Sequence, residues 1–315
     1  MRMISAADVQ QALDFPSLVE RLRQAFKADI QVPLRHHHTL ARATEPDATL
    51  LLMPAWDGEN HVGVKMVTVT PGNADRGLPA VMGIYVLMDG KTGQPLALVD
   101  GPMLTLRRTA AASALAADYL AAKDTEKMLM VGTGALAPHL IEAHAAVRPI
   151  RQVTLWGRNP EKARKLAQSL SRDGLLVEAA EDLEAAVKQA QLISCATLST
   201  TPLVKGDWLQ PGQHLDLVGA FTPQMREADD AAVAKAQVFV DTREGATKEG
   251  GEIVQALASG ALRLADIRAD LHQLTRQTTP PKDYGAALTL FKSAGTALED
   301  LAAAQLAVAR NSTTG

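Results

Sequence analysis

The spacing of hydrophobic residues changes along the chain and divides it into two regions. From Val32 to Ala97, short apolar segments alternate with turn residues, a pattern typical of strands in one sheet linked mostly by hairpins. From Lys127 onward, short continuous apolar segments are separated by stretches with helical spacing. The second pattern predicts parallel strands covered by helices on both faces, so we expect an α/β protein.

Several elements can be placed within this outline. Apolar residues on one face, including Leu18, Leu22 and Phe26, predict a helical pattern over the N-terminal segment 1–28. A short apolar segment predicts a strand that stops at Pro54. An alanine-rich helix is predicted over 109–122. In the second region the pattern predicts strands over 128–131, 152–156, 192–196, 215–218 and 238–240, and helices over 138–146 and 160–170.

The chain length of 315 residues favours two domains. The change of pattern places the boundary near residue 117, with a mixed α+β domain over 1–116 and a parallel-sheet domain over 117–293. No strand follows the last predicted helix, from Ala294 to Arg310. The segment 294–315 is therefore expected to return to the first domain.

Composition and charge narrow the classes of function. Hydrophobic residues make up 47% of the chain and charged residues 21%, which excludes a disordered protein. The net charge of -3, with scattered signs, gives no indication of nucleic-acid binding. The longest uncharged stretch, Gln189–Val204, is too short and polar to cross a membrane, and the single cysteine, Cys195, does not support an oxidising compartment. We therefore expect a cytoplasmic protein that binds neither nucleic acid nor membranes.

A glycine-rich loop opens the second region. Gly132, Gly134 and Ala137 form a G-x-G-x-x-A motif directly after a predicted strand and before a predicted helix. The first glycine allows a tight turn, the second lets the backbone approach a pyrophosphate, and the alanine permits close packing of helix and strand. The free N–H groups at the start of the helix favour an anion. The motif predicts a Rossmann-type dinucleotide-binding domain, with a ligand-free glycine turn as the alternative.

The end of the next predicted strand indicates which dinucleotide is bound. NAD sites usually carry an acidic residue there, which holds the ribose 2′-hydroxyl. Here the strand is followed by Arg158 and Asn159, so an arginine stands where a 2′-phosphate would lie. We predict NADPH as the cofactor, with NADH still possible, and include both residues among its contacts. Lys162 and Arg164 add positive charge nearby, and the alternative for Arg158 is a solvated neighbour of a helix cap.

Three positively charged residues of the first region have mainly apolar or small residues as their neighbours in the sequence. Arg35 follows an apolar segment, Lys65 lies within a predicted apolar strand, and Arg108 opens the alanine-rich helix. Because lysine is almost never buried without a partner, Lys65 should have an anionic one, unless it snorkels from an edge strand. Surface solvation is the alternative for Arg107 and Arg108, and one of the two is expected to follow it. Together, Arg35, Lys65 and Arg108 predict a site for a small carboxylate.

Other titratable residues add one further candidate. In a strand that begins at Arg35, His37 would share its face and could contact the substrate, although a surface histidine is the simpler interpretation. Cys195 lies in a predicted buried strand and is interpreted as a core residue. His139 and His144 lack the spacing of a metal-binding helix face, so no metal is predicted. No residue is predicted as the catalytic proton donor.

Six short segments, in their order along the chain, together resemble the ornithine cyclodeaminase/mu-crystallin family. The resemblance covers essentially the whole chain. It implies a homodimer in which a Rossmann domain, here 117–293, is joined to a separate substrate and dimerisation domain, here 1–116. The segments are Pro-Leu-Arg at 33–35, Met-Pro-Ala at 53–55, Gly-Val-Lys at 63–65, Asp-Gly at 100–101 with Arg-Thr-Ala-Ala at 108–111, the Gly132 loop, and Ser-Ala-Gly-Thr-Ala-Leu-Glu-Asp at 293–300.

The same resemblance implies roles for individual residues. Arg35, Lys65 and Arg108 correspond to residues that bind the substrate carboxylate. Members of the family include cyclodeaminases, alanine dehydrogenases and reductases of cyclic ketimines. The residues that correspond to cofactor contacts are Ala135, Leu136, Arg158, Thr197 and Ser293.

Two departures from the cyclodeaminase pattern favour a ketimine reductase. Phe221 stands where cyclodeaminases carry an acidic catalytic residue, and Leu51 matches the position of their glutamate before the Met-Pro turn. Both changes remove charge that would handle the amino groups of an open-chain diamine. The expected activity is the NADPH-dependent reduction of Δ1-pyrroline-2-carboxylate to L-proline and of Δ1-piperideine-2-carboxylate to L-pipecolate.

Other functions stay open at this point. An alanine dehydrogenase or an N-methylamino-acid-forming reductase would combine an open-chain 2-oxo acid with ammonia or an amine. An ornithine cyclodeaminase would close the ring itself. A crystallin-like protein would bind NADPH and a small ligand without turnover.

Overall fold

The computed structural model describes residues 1–277 and 284–312, and its backbone divides into two compact units. Unit 1 contains Met1–Arg108 and the C-terminal segment from Thr296, and unit 2 contains Thr109–Gly295. The division lies before the boundary predicted near residue 117, within the helix that contains the alanine-rich segment. Residues 313–315 of the predicted C-terminal segment lie outside the described residues.

Unit 1 is a six-stranded sheet with helices, and its strands follow the order β1-β6-β5-β4-β3-β2. The pairs from β2 to β6 are antiparallel, as the hairpin pattern predicts, whereas β1 pairs with β6 in parallel. Its strands are β1 (Arg2–Ile4), β2 (His36–Leu40), β3 (Ala48–Trp56), β4 (His61–Val69), β5 (Val81–Asp89) and β6 (Pro95–Asp100), and its helices are α1 (Ala6–Ala12), α2 (Phe15–Lys27), α3 (Gly101–Leu120), which continues into unit 2, and α11 (Ala297–Ser312).

Three sequence predictions for unit 1 are wrong in detail. Strand β3 does not stop at Pro54 but continues to Trp56, with Pro54 opposite Val64 of β4. The N-terminal helical pattern is two helices, since the first ends with Leu13 as its C-cap and Asp14 caps the start of the second. Helix α3 begins at Gly101 rather than Thr109, because Asp100 accepts a hydrogen bond from the N–H of Met103 and so starts the helix before its alanine-rich part.

Unit 2 is an eight-stranded parallel sheet in the order β13-β12-β14-β11-β10-β7-β8-β9. The predicted fold class, a Rossmann-type parallel sheet with a mixed second domain, is confirmed. Its strands are β7 (Lys127–Val131), β8 (Gln152–Trp156), β9 (Leu176–Ala180), β10 (Leu192–Cys195), β11 (His214–Leu217), β12 (Gln237–Val240), β13 (Ile267–Asp270) and β14 (Thr289–Lys292). Its helices are α4 (Leu136–Val147), α5 (Pro160–Leu170), α6 (Leu183–Gln189), α7 (Asp230–Lys235), α8 (Arg243–Lys248), α9 (Gly251–Ser259) and α10 (Leu271–Arg276).

Three strands of this sheet were not predicted from the sequence. They are β9, β13 and β14, and each is short and contains at least one charged residue: Glu178 in β9, Arg268 and Asp270 in β13, and Lys292 in β14. Such segments lack the continuous apolar run that identifies a buried strand. No helix among the described residues is long and apolar enough to cross a membrane.

The centre of the parallel sheet contains a buried polar network around Asp216. The Asp216 carboxylate accepts hydrogen bonds from the hydroxyls of Ser113, at 2.9 Å, and Ser194, at 2.6 Å, and lies 3.2 Å from Nε2 of His144. On the same strand, Nδ1 of His214 is 2.9 Å from the hydroxyl of Thr289. His144 and His214 are both fully buried, and their contacts join α4 to β11 and β11 to β14.

Burial lowers the pKa of His214 to about 3, and the opposing charge of Asp216 does not compensate. The imidazole is neutral in the folded protein, whereas an unfolded histidine binds a proton below about pH 6.5. The unfolded state thus binds more protons between those values, and stability falls as the pH falls through this range. The loss from His214 alone is roughly 3 kcal/mol between pH 7.5 and pH 4.5, at about 1.4 kcal/mol per pH unit below the unfolded pKa.

We therefore expect His214→Asn to reduce the acid sensitivity of the fold. The amide can still donate to Thr289 but is not protonated in this range. The measurement is the free energy of unfolding in urea at pH 7.5, 6 and 4.5. His272→Asn, at a partly exposed histidine, serves as the matched control and should follow the parent. Identical pH profiles for His214→Asn and the parent would show that His214 does not control acid stability.

Candidate active site

In unit 1, Lys65 lies on β4 at a position that is only 3% exposed. Its ammonium contacts both oxygens of Asp300, at 2.9 Å to Oδ1 and 2.8 Å to Oδ2. Asp300 belongs to the first turn of α11, which packs against β3, β4 and β5. Lys65 is therefore buried with an anionic partner, and the alternative of a snorkelling lysine is wrong.

Arg108 joins the same cluster from α3. Its Nη1 donates to Glu299 at 2.6 Å, and its Nε lies 2.9 Å from Oδ1 of Asp300. Glu299 and Asp300 are both fully buried. Two consecutive acids of α11 thus neutralise two cations that come from different elements of unit 1.

The charges in this cluster shift one another's pKa values. Burial, assisted by the charges of Arg108 and Arg35, outweighs the effect of Asp300 and lowers the pKa of Lys65 to about 8. Burial would raise the pKa of Asp300, but Lys65, Arg108 and Arg35 hold it below its usual value. Because Arg35 affects both groups, it lies within electrostatic range of the cluster. The structure thus brings Lys65 and Arg108 together, with Arg35 within electrostatic range of both.

Tyr85 covers the cluster from the neighbouring strand, where it lies opposite Lys65. It is fully buried, and its hydroxyl has no hydrogen-bond partner among the described residues. Burial and the charges of Asp300 and Asp57 raise the pKa of Tyr85 well above its usual value. A Cβ at Gly63 would lie 1.9 Å from this hydroxyl. Glycine in the Gly-Val-Lys segment is therefore explained by the space that Tyr85 occupies.

Two further expectations for unit 1 need correction. Strand β2 begins at His36, after Arg35, so the two-residue alternation that would place Arg35 and His37 on one face does not start there. His37 is exposed.

Neither Arg107 nor Arg108 is solvated, as they are 2% and 6% exposed. Arg107 donates to the carbonyl oxygen of Leu13 at 2.9 Å and lies over the ring of Phe15, so it stabilises the start of α2.

In unit 2, the glycine loop has the geometry that a pyrophosphate requires. Gly132 has a φ of 123°, which favours glycine, and a Cβ at Gly134 would meet no atom within 4 Å. The N-cap of α4 is Ala135, which has no side chain that could accept from the first N–H groups of the helix. Gly134, Ala135 and Leu136 thus present backbone N–H groups at an open helix start, and a dinucleotide fits this loop.

The loop after β8 lies beside the glycine loop, since a Cβ at Gly157 would lie 2.7 Å from the Thr133 side chain. Arg158 is exposed there and forms no ion pair with any described residue. Asn159 caps α5 by accepting from the N–H of Lys162 at 3.1 Å. Arg164 does not add free positive charge, as it pairs with Glu161 and Glu181.

Thr197 and Ser293 follow β10 and β14 at the same edge of the sheet. All paired strands in unit 2 are parallel, so the loops after β7, β8, β10, β11 and β14 lie at one edge. Ligands of such sheets bind at the carboxyl ends of the strands, where the strand order reverses. Here it reverses between β7 and β10. The predicted cofactor residues of unit 2 therefore share one edge.

The remaining candidates lie in the core. Cys195 is fully buried on β10, and burial raises its pKa well above the usual value. The described residues contain no group of three or more side chains that could hold a metal ion.

The sequence did not indicate the counter-ions of the predicted cations. Glu299 and Asp300 lie in the segment 293–300, which carries part of the family resemblance but predicts no ion pair. A useful signal was present, because two consecutive acids in an otherwise apolar helix must be paired or exposed. Nothing in the sequence marks Tyr85 as a neighbour of the site, because a tyrosine within an apolar strand is common in protein cores.

Comparison with known proteins extends the family resemblance over the whole chain. A profile of the ornithine cyclodeaminase/mu-crystallin family matches residues 1–314. Δ1-pyrroline-2-carboxylate reductase from Colwellia psychrerythraea is 38% identical over 312 residues, which span 98% of each chain.

Solved structures agree with this match. Δ1-pyrroline-2-carboxylate reductase from Thermococcus litoralis, in complex with NADH and L-proline, has a TM-score of 0.92 at 31% identity over 100% of this chain and 98% of its own. An archaeal alanine dehydrogenase dimer with bound NAD has a TM-score of 0.90 at 27% identity, over 100% and 97% of the two chains. The predicted resemblance is confirmed, and the chain belongs to the ornithine cyclodeaminase/mu-crystallin family.

Proposed function

We propose that the protein is an NAD(P)H-dependent oxidoreductase that reduces cyclic ketimines, converting Δ1-pyrroline-2-carboxylate to L-proline and Δ1-piperideine-2-carboxylate to L-pipecolate. The observation that carries this proposal is the buried cluster of unit 1. Two buried cations, Lys65 and Arg108, contact two buried acids, Glu299 and Asp300, and the partly buried Arg35 adds one further positive charge within electrostatic range. That excess matches one carboxylate. Relatives named as pyrroline-2-carboxylate reductases support the choice of substrate.

In this proposal the three cations bind and orient the substrate carboxylate. The guanidinium groups of Arg35 and Arg108 offer planar pairs of donors, and the Lys65 ammonium offers a point charge. Glu299 and Asp300 hold Lys65 and Arg108 in place before substrate arrives, which reduces the ordering cost of binding. When bound, the reduced nicotinamide supplies a hydride to the C=N carbon, and a proton on the ring nitrogen completes the amine.

Two side chains favour a ring that is already closed. Phe221, after β11, is 46% exposed and offers an apolar surface at the position where cyclodeaminases carry an acid. Leu51 lies opposite His37 in the edge pair of unit 1. Neither can take up or release a proton, whereas ring closure from a diamine requires ionisable groups. An apolar surface suits ring methylenes, at about 0.8 kcal/mol for each one buried.

NADPH is the cofactor we propose for this chain. The support for this choice is Arg158, which is exposed at the end of β8 beside the glycine loop. An arginine at this position can attract a 2′-phosphate, whereas the acidic residue that NAD sites usually carry there would repel it. The two solved relatives contain NADH and NAD, so a preference for NADPH would distinguish this chain from them.

We also propose a homodimer formed through the sheet of unit 1. Lys65 and Tyr85 face α11, so their neighbours along the strands face the other side of the sheet. That side is apolar, and Met66 and Met82 on it are 37% and 46% exposed. A contiguous apolar sheet face is typical of a subunit interface, and the archaeal alanine dehydrogenase is a dimer. The residues aligned across this face are Pro54, Val64, Val86 and Leu98, with Leu52, Met66 and Ile84 beside them.

Reversing the charge at Arg158 tests the cofactor. We expect the parent to have a higher kcat/KM with NADPH than with NADH, and Arg158→Asp to reverse that order. Loss of one hydrogen bond to a charged group costs roughly 1.5–3 kcal/mol, or about 10- to 150-fold. Arg151→Asp, just before β8 at the opposite edge of the sheet, is the matched control and should leave the preference unchanged. Equal use of both cofactors by parent and variant would place Arg158 in solvent.

Removing the charge of Lys65 tests the carboxylate site. Lys65→Met should lower kcat/KM for pyrroline-2-carboxylate by at least about tenfold, since a hydrogen bond to a charged group contributes roughly 1.5–3 kcal/mol. Asp300 keeps its contact with Arg108 in this variant. Lys91→Met, at an exposed lysine, controls for the substitution itself.

The variant Lys65→Met/Asp300→Asn separates binding from stability. Lys65→Met alone leaves Asp300 without one of its two cations and should lower the melting temperature. The double variant removes both members of the ion pair, so its melting temperature should be higher than that of Lys65→Met, while its activity stays low. Kinetics equal to those of the parent in either variant would remove Lys65 from the substrate site.

The reaction itself is tested with two substrates. The purified protein should reduce pyrroline-2-carboxylate with NADPH and should not convert L-ornithine to proline, even with NAD added. NADPH absorbance measures the first reaction, and assays of ammonia and proline measure the second. Release of both from ornithine, at a rate comparable to imine reduction, would instead indicate a cyclodeaminase and a wrong alignment of Phe221.

A further inference from the structure

A single buried carboxylate connects two loops at the ligand-binding edge of unit 2. Glu227 is fully buried, and each of its oxygens accepts a backbone hydrogen bond from a different loop. Oε1 accepts from the N–H of Thr197 at 2.6 Å, directly after β10. Oε2 accepts from the N–H of Gly219 at 2.7 Å, directly after β11. The carboxylate thus fixes the separation of the two strand ends.

The loops joined by Glu227 are in backbone contact with the glycine loop. A Cβ at Gly219 would lie 2.0 Å from the carbonyl oxygen of Thr197, and a Cβ at Gly132 would lie 2.6 Å from that of Ala196. The loops after β7, β10 and β11 therefore pack without space between them.

Glu227 is itself held by charged neighbours. Its backbone N–H donates to Oε1 of Glu252 at 2.6 Å, and the other oxygen of Glu252 lies 3.2 Å from the ammonium of Lys292. Lys292 ends β14 and also donates to the carbonyl oxygen of Leu217 at 3.2 Å. Burial and the charge of Glu252 raise the pKa of Glu227, and Lys292 opposes them. Three strand ends, those of β10, β11 and β14, are connected through these three side chains.

The order of the strands indicates which part of a dinucleotide meets these loops. Arg158 follows β8 and the glycine loop follows β7, whereas Thr197 and Gly219 follow β10 and β11 on the other side of β7. A dinucleotide with its pyrophosphate at the start of α4 and its adenine ribose near Arg158 must extend its second half across β10 and β11. We propose that Glu227 is a positioning residue that holds the Thr197 and Gly219 loops in the geometry that receives the nicotinamide half. The inference rests on the proposed function, since it assumes a nicotinamide cofactor.

The variant Glu227→Gln tests this role in the intact protein. The amide of Gln presents one acceptor and one donor, so it opposes one of the two N–H groups. We expect the Kd for NADPH, measured by its fluorescence, to rise by about tenfold or more, as for loss of one hydrogen bond to a charged group. The Kd for 2′-phospho-ADP-ribose, which lacks the nicotinamide, should stay within about twofold of the parent, because its adenosine and pyrophosphate would bind near Arg158 and at the start of α4, where the Glu227 carboxylate makes no hydrogen bond.

The two ligands separate positioning from a general effect on the fold. Ser113→Ala, which removes a hydrogen bond from the Asp216 network, is the matched control and should leave the ratio of the two Kd values unchanged. Gly219→Ala should show the same selective loss as Glu227→Gln, because its Cβ would displace the Thr197 carbonyl group. Equal losses for both ligands, or no loss for either, would overturn the proposal.

Hydrogen exchange gives a test that needs no variant. The amides of Thr197 and Gly219 should be protected in the parent without cofactor, and unprotected amides would also overturn the proposal. Both measurements use binding or exchange rather than turnover. A parent that binds NADPH but does not reduce pyrroline-2-carboxylate would contradict the proposed reaction while leaving the role of Glu227 testable.

Discussion

The ion pair between Lys65 and Asp300 joins two parts of unit 1 that are 235 residues apart in sequence. It attaches α11 to the middle of the six-stranded sheet, and Arg108 connects α3 to the same acid. Taking these charges out of water is costly, and removing one partner of a buried pair costs about 3–5 kcal/mol. The position of α11 is therefore tied to the charge state of Lys65, and so is the arrangement of the substrate-binding cations that we propose.

The cost of burying these charges indicates that the acids do more than stabilise the fold. A well-packed apolar group could replace a buried ion pair with little loss of stability, and sometimes with a gain. Such a replacement would leave the net charge of the cluster unchanged but would remove one of the cations that it offers to a carboxylate. Acids placed beneath the cations also hold their side chains in fixed rotamers, so that little entropy is lost when a ligand binds. Unit 2 contains a similar arrangement, in which the buried carboxylate of Glu227 holds backbone N–H groups instead of cations.

The sequence predicted the elements with strong periodicity and missed those that depend on tertiary contacts. The glycine loop, β8 and α5 were placed correctly, because a motif and continuous apolar runs identify them. The extension of β3 past Pro54 could not be predicted, since it depends on pairing with β4. The prediction that Arg107 or Arg108 is solvated is wrong for the same reason, because the partner of Arg107 is the carbonyl group of Leu13, which lies between α1 and α2 and far away in sequence. The three cations were found from their apolar surroundings, whereas the functional roles of these and the cofactor residues stay predictions.

The division of the chain also has a consequence for the order in which the protein is made. Unit 2 is inserted between Arg108 and Thr296, so the sheet of unit 1 is synthesised long before α11. At roughly 5–20 residues per second, Asp300 follows Lys65 by about 10 to 50 s. During that interval Lys65 and Arg108 have no acidic partners from α11, and burying them would be unfavourable. The parallel sheet of unit 2 also needs β14, which lies just before α11 in the sequence, so neither unit can complete its fold until the segment 289–300 has been synthesised.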